Sequence, residues 1–177
     1  MPHYSIALLP IAVLITRATN MPAVRSAEVC YSGEKSTLLC YTVENGATPQ
    51  KVKVADVQGV ADYLRSYGRE VTGGRFFTMT AADTPDCAEW SLFSNGSTLA
   101  VAKHLNEKID SSVLFEDIAT TIDGGGKSKQ GIITCLDKGG SLGVLANTSN
   151  PAYNSLDYLA SGAEPDGILI KIVSSGN

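Results

Sequence analysis

The chain has 177 residues, of which 18% are charged, and a formal net charge of −4. That is enough chain to bury a real core as one domain, and so little charge argues against disorder as the dominant state. Lysine and arginine are scattered rather than clustered, which excludes nucleic acid as the expected partner.

Residues 1–27 are unlike the rest. Ile6 to Ile15 is an almost unbroken apolar run containing Pro10. It has the length of a signal-peptide core and is too short to span a bilayer. The segment before it, Met1-Pro2-His3-Tyr4, lacks the usual lysine or arginine. Thr16-Arg17-Ala18 supplies a cleavage site, so residues 1–18 read as a signal peptide, with cleavage as late as Ala27 as the alternative. Residues 28–177 then form a single secreted domain. No later segment is long enough for a transmembrane helix, and the expected location is extracellular.

In chain order, Val29–Ser32 and Leu38–Val43 suggest a small hairpin, and Lys51–Val54 alternates like a half-exposed strand. Asp56 caps a helix lined by Val57, Val60, Ala61 and Leu64 and closed by Gly68. A strand follows from Arg75 to Thr80. Asn95-Gly96 then joins two strands, Ala88–Ser94 and Ser97–Leu105, as a two-residue type I′ turn. That register sets Trp90 opposite Val101 and Leu92 opposite Leu99 on the core face. Cys87, Glu89 and His104 fall together on the other. Asp110, Ser111 and Ser112 offer N-caps for a helix over Ser112–Ile122, which Gly124-Gly125-Gly126 ends. Ile132–Leu136 reads as a buried strand, Leu142–Ala146 as its partner, Ser155–Ala160 as a short helix and Ile168–Val173 as a covered final strand. The expected fold class is α+β: one compact, disulfide-linked domain with a largely antiparallel sheet and two main helices.

Cys30, Cys40, Cys87 and Cys135 make an even number in an exported chain, so disulfides are expected. Their spacing fits no zinc module. Of the three pairings, Cys30–Cys40 with Cys87–Cys135 is the expected one. Asn95-Gly96-Ser97 and Asn147-Thr148-Ser149 are acceptor signals for glycans on Asn95 and Asn147.

Catalytic signals are thin. Gly139-Gly140-Ser141-Leu142-Gly143 matches the Gly-x-Ser-x-Gly elbow of α/β-hydrolases, but no histidine follows Ser141 and the segment beyond it reads as a strand. Gly126-Lys127-Ser128 ends like a P-loop, yet Thr121 stands where the first glycine belongs. His104, the histidine left after processing, is a candidate general acid or base with Glu89 beside it. Asp83, Asp86 and Glu89 raise a two-acid glycosidase site. Nothing in the sequence calls for a cofactor or a metal, and no residue is assigned a catalytic role.

The leader at Ile6–Ile15, the four cysteines and the compact mixed domain together resemble the small secreted proteins of filamentous fungi, many of them effector candidates. The resemblance implies an extracellular, virulence-associated protein acting by binding a host or competitor protein or a cell-wall component. The alternative is a small secreted hydrolase of cell-wall carbohydrate or ester, which requires His104 with Ser141, or paired carboxylates, in one concave site.

Overall fold

The computed structural model describes residues 34–82, 89–106, 108–126 and 131–176. Along the chain run β1 (Leu39–Cys40), α1 (Val54–Arg69), β2 (Phe76–Met79), β3 (Glu89–Asn95), β4 (Thr98–His104), β5 (Ser111–Leu114), α2 (Phe115–Asp123), β6 (Gly140–Gly143), α3 (Leu156–Ser161) and β7 (Ile168–Ser174). Five strands form an antiparallel sheet in the order β1-β6-β7-β4-β3, and β2 pairs with β5 in a separate antiparallel ribbon. The domain is α+β, with α1 and α2 as its main helices.

Both helices cover one face of the five-stranded sheet. Val57, Val60, Ala61 and Leu64 of α1 and Ile118, Ala119 and Ile122 of α2 pack on Ala100, Ala102, Ile168, Ile170 and Ile172. The alanines of β4 let the helices sit close. Arg65 reaches from α1 to hold both oxygens of Asp123 at the end of α2, at 2.9 and 2.8 Å. The left-handed Gly124 ends that helix, as its sequence requires.

The hairpin register differs from the expected one. Asn95 pairs with Thr98, so Gly96 and Ser97 are the two loop residues. Gly96 takes φ +51°, and Ser97 is not among the positive-φ residues. This is the glycine-first pattern of a type II′ turn. A bulge at Leu92 follows, and Trp90 comes to lie opposite Ala102 rather than Val101. On β4 the helix-facing side chains are therefore Ala100, Ala102 and His104; Leu99, Val101 and Lys103 face the other way. Trp90 remains on the helix side, edge-on to Phe77, but it stands on an edge strand and is 36% exposed.

Other segments depart from expectation: the strand expected at Leu142–Ala146 is β6 at Gly140–Gly143, and it pairs with β1 and β7 rather than with Ile132–Leu136. Ser111–Leu114 is a buried strand, not the first turn of a helix. Its hydroxyls bond to His104 and Thr78 instead of capping, and Phe115 N donates to Arg75 O at the true helix start. Ile132–Lys138 is a pair of 3-10 turns kinked at Leu136, which takes φ +56°, not a strand: Ile132 and Cys135, three residues apart, are buried, while Leu136 is exposed. Lys51–Val54 is not a strand either. Gln50 N and Val52 N bond to Lys138 O and Asp137 O across a Lys51 held at φ +57°. The expected strand Val29–Ser32 lies outside the described residues.

Candidate functional site

The sheet separates the side chains that chemistry would need together. His104 faces the helices, where its Nε2 lies 2.8 Å from Ser111 Oγ, and Ser111 is fully buried. Burial pulls the His104 pKa below the ordinary histidine value, and the charge of Asp110 opposes that only in part. The pair is a hydrogen-bonded core contact with no path for substrate to the serine. Glu89 does not share the face of His104, as the expected register would have it. It lies opposite Lys103, on the far side of the sheet. Ser141 is on that far side too, opposite Lys171 and 1% exposed. It lies in a strand rather than at a strand-to-helix elbow, and His104 is across the sheet from it.

That far face holds a buried ion network. Lys103 Nζ is 2.6 Å from one oxygen of Glu34, and Lys171 Nζ is 3.0 Å from the other. Lys171 also donates to Glu89 at 2.7 Å. All four side chains are less than a tenth exposed. Burial by itself would lower the Lys171 pKa. The hydrogen bond to Glu89 and the nearby Tyr41 and Glu34 outweigh it, and the pKa is raised. The Tyr41 hydroxyl beside them is buried, and burial, opposed by Lys171 and by the neighbouring Ser141 hydroxyl, pushes it up to about 12. Among the described residues two lysines face two glutamates, and the network joins chain segments far apart in sequence.

Cys40 bonds to Cys135, with 5.2 Å between their Cα atoms. Neither expected pairing, Cys30–Cys40 nor Cys87–Cys135, is compatible with this bridge. Because Ile132–Lys138 turns back as a 3-10 turn, Cys135 is delivered to β1 and β6 instead of to the hairpin; a Cβ on Gly140 would touch its Sγ. Cys30 and Cys87 lie outside the described residues, as do Asp83, Asp86, Lys127 and Ser128. Among the described residues no group of histidine, cysteine or carboxylate side chains is arranged to hold a metal. No described helix is long and apolar enough to cross a membrane.

The two acceptor asparagines stand in different surroundings. Asn95 Nδ2 donates to Asp56 O at 3.3 Å and packs so closely on Gly59 that a methyl group there would collide with it. Asn147 is exposed in a loop, with its backbone N–H bound to Asp117.

Among the described residues an accessible concavity lies elsewhere, between the β2–β5 ribbon and α3. A depression of about 540 Å³ is lined by Phe76, Thr78, Asp110, Ser112, Asp157 and Tyr158, among others. Its floor is fixed: Thr78 Oγ1 and Ser112 Oγ are 2.8 Å apart, and Tyr158 OH donates to Ser112 O at 2.9 Å. Burial, with Glu164 adding to it, raises the Tyr158 pKa to about 12 and keeps that donor protonated. A second depression of about 520 Å³ shares Thr72, Gly73, Gly74 and Ala152 with the first. The sequence offered one signal for this site: Thr78, Thr80 and Ser112 put hydroxyls on two neighbouring segments. It is legible only once those segments are known to form a ribbon. Compared with known proteins, the chain matches no family model, no curated protein and no solved structure.

Proposed function

We propose that the protein is exported and acts by binding, as an effector-like extracellular protein whose target is a host or competitor protein or a cell-wall component. The observation that carries this reading is the separation of His104 and Ser141 onto opposite faces of one sheet, each buried. A nucleophile and its base must be within hydrogen-bond reach of each other and of substrate. The disulfide fits an oxidising compartment, and the apolar run at Ile6–Ile15 fits export.

The hydrolase reading keeps one foothold, since Asp110 and Asp157 line the same groove. Both side chains are exposed, whereas a glycosidase's acid depends on apolar burial to hold its proton. The test is incubation of the protein with cell-wall material and with model esters. Retention on the insoluble fraction, or on a host protein, without release of sugar or acid is expected. Ester cleavage lost in Ser141→Ala, or sugar release lost in Asp157→Asn, would overturn the binding reading. Mass spectrometry of the culture medium should find a mature N-terminus between Ala18 and Glu28; an intact Met1 in the cytosol would end the export reading.

A further inference from the structure

We propose that the groove between the β2–β5 ribbon and α3 is a binding site for a neutral oligosaccharide. This rests on the reading of the protein as a binder and names its ligand class.

Charge narrows the choice first. Among the described residues the first depression has Asp110 and Asp157 in its lining and no lysine, arginine or histidine. In the second, Arg69 is already ion-paired with Glu116. A phosphate, sulfate or uronate would meet two carboxylates and no available cation, so an anionic ligand is disfavoured.

Hydrogen-bonding capacity narrows it further. Thr78 and Asp157 are exposed in the lining. Ser155 Oγ accepts from Tyr158 N at 3.3 Å, which leaves its own proton to donate. Asp110 has one oxygen held by Ala81 N, at 2.8 Å. The groove therefore presents hydroxyl donors and carboxylate acceptors side by side. A polyol, which both donates and accepts at each hydroxyl, uses both. A polyamine offers donors only and uses the carboxylates alone. Phe76, partly exposed in the lining and packed on the buried Tyr158, adds apolar surface of the kind the C–H face of a sugar ring covers.

Shape points to a chain rather than a single ring. The two depressions, about 540 and 520 Å³, are each of the size of a small-ligand site and meet at Thr72–Gly74 and Ala152. Gly73 takes φ +86°, which calls for glycine, and a Cβ there would meet nothing within 4 Å. Residue 73 therefore adds no side chain to the edge that the two depressions share.

The test is a two-dimensional amide NMR titration of the full-length protein with cellohexaose, laminarihexaose and chitohexaose, with hexagalacturonate and spermine as charged controls. At least one neutral hexasaccharide should shift the amides of Thr72–Phe76 and Ser155–Tyr158. Asp157→Ala should weaken that binding at least tenfold and leave the spectrum outside the groove unchanged; Asp157 has an exposed side chain, so the variant should fold. The inference is overturned if no neutral hexasaccharide moves these amides, if the shifts map elsewhere, or if spermine or hexagalacturonate binds there in their place. In those cases the binding reading stands and the ligand class falls. Chromatography of the recovered saccharide separates the two. Intact hexasaccharide supports both, and shorter products overturn the binding reading while keeping the ligand class.

Discussion

Asp56 and Ser97 are joined twice: the carboxylate oxygen Oδ2 accepts from Ser97 N and from Ser97 Oγ, each at 2.8 Å. One residue is in the first turn of α1 and the other is in the hairpin loop. The bonds from Ser97, backbone first and hydroxyl second, hold the Asp56 carboxyl below the ordinary aspartate range. Ser97 Oγ also accepts from Lys53 N at 2.8 Å. The helix start thus grips the turn and selects which two residues form the loop. A Cβ on Gly96 would strike the Asp56 carboxylate, so glycine is needed here for space as well as for its positive φ.

The register has an optical consequence. Trp90, 36% exposed, should emit like a partly hydrated indole and be quenched by iodide. Trp90→Ala should cost roughly 1–2 kcal/mol, below the roughly 3–5 kcal/mol typical of a fully buried aromatic. Blue-shifted emission that iodide does not reach would argue for the type I′ register instead. Asp56→Ala should loosen the loop, seen as faster amide exchange at Gly96 and Ser97.

The Cys40–Cys135 bridge spans 95 residues. On loop length alone it contributes about 4–5 kcal/mol, and Cys135→Ser should cost roughly 2–5 kcal/mol in chemical denaturation. Non-reducing peptide mapping should recover Cys40 joined to Cys135. The only intramolecular pairing left for Cys30 is then Cys87. A peptide joining Cys30 to Cys40 would refute the placement of β1 beside β6.

The ion network predicts alkaline sensitivity. Lys171 is raised above the ordinary lysine value of 10.5, and Tyr41 is raised from 10.0 to about 12. Both favour the protonated form in the fold. Their contribution is whole below pH 10 and is lost as pH climbs through the folded values. Denaturation midpoints should therefore hold steady from neutral pH and fall above about pH 10. Lys171→Met should cost roughly 3–5 kcal/mol at neutral pH, because it leaves buried carboxylates short of a partner. Tyr41→Phe should change stability by less than about 1 kcal/mol at neutral pH and should soften the alkaline loss. A destabilisation by Tyr41→Phe above about 1 kcal/mol would reveal a bond the hydroxyl does make.

The two acceptor asparagines should differ. If the source glycosylates, a glycan should be found on Asn147 and not on Asn95, whose amide is packed on Gly59. Glycopeptide mass spectrometry decides this. Occupied Asn95 in folded, secreted protein would contradict the seating of the hairpin on α1.

Elements carried by long periodic patterns were legible: α1, the hairpin strands, β7 and the glycine stop after α2. What was not legible depended on contacts between distant segments. The turn carries a strong local signal at Asn95-Gly96, but Asp56, from another element, overrides it by one residue. Ser111 and Ser112 look like caps because nothing nearby shows that Thr78 and His104 will claim their hydroxyls. Ile132–Leu136 looks like a strand because apolar run length alone does not separate a strand from a buried turn. Glu34, Lys103 and Lys171 lie far apart in the sequence, and nothing near any one of them shows that the fold will bring them together. The groove depends on the β2–β5 pairing and was invisible for the same reason.

The order of strands has a bearing on how the chain is made. β4 is Thr98–His104, a mostly apolar segment, and β3 covers only one of its edges. The other edge waits for β7, which pairs Ala100 with Ile172 and Ala102 with Ile170. Synthesis delivers β4 well before β7, and closing so long a loop is a slow step in folding. During that interval β4 is an open, apolar strand edge, the kind of template on which neighbouring chains add. Yield in a cell should then be governed less by the stability of the finished domain than by how long that edge stays open, and a chain cut before Ile168 should aggregate rather than accumulate.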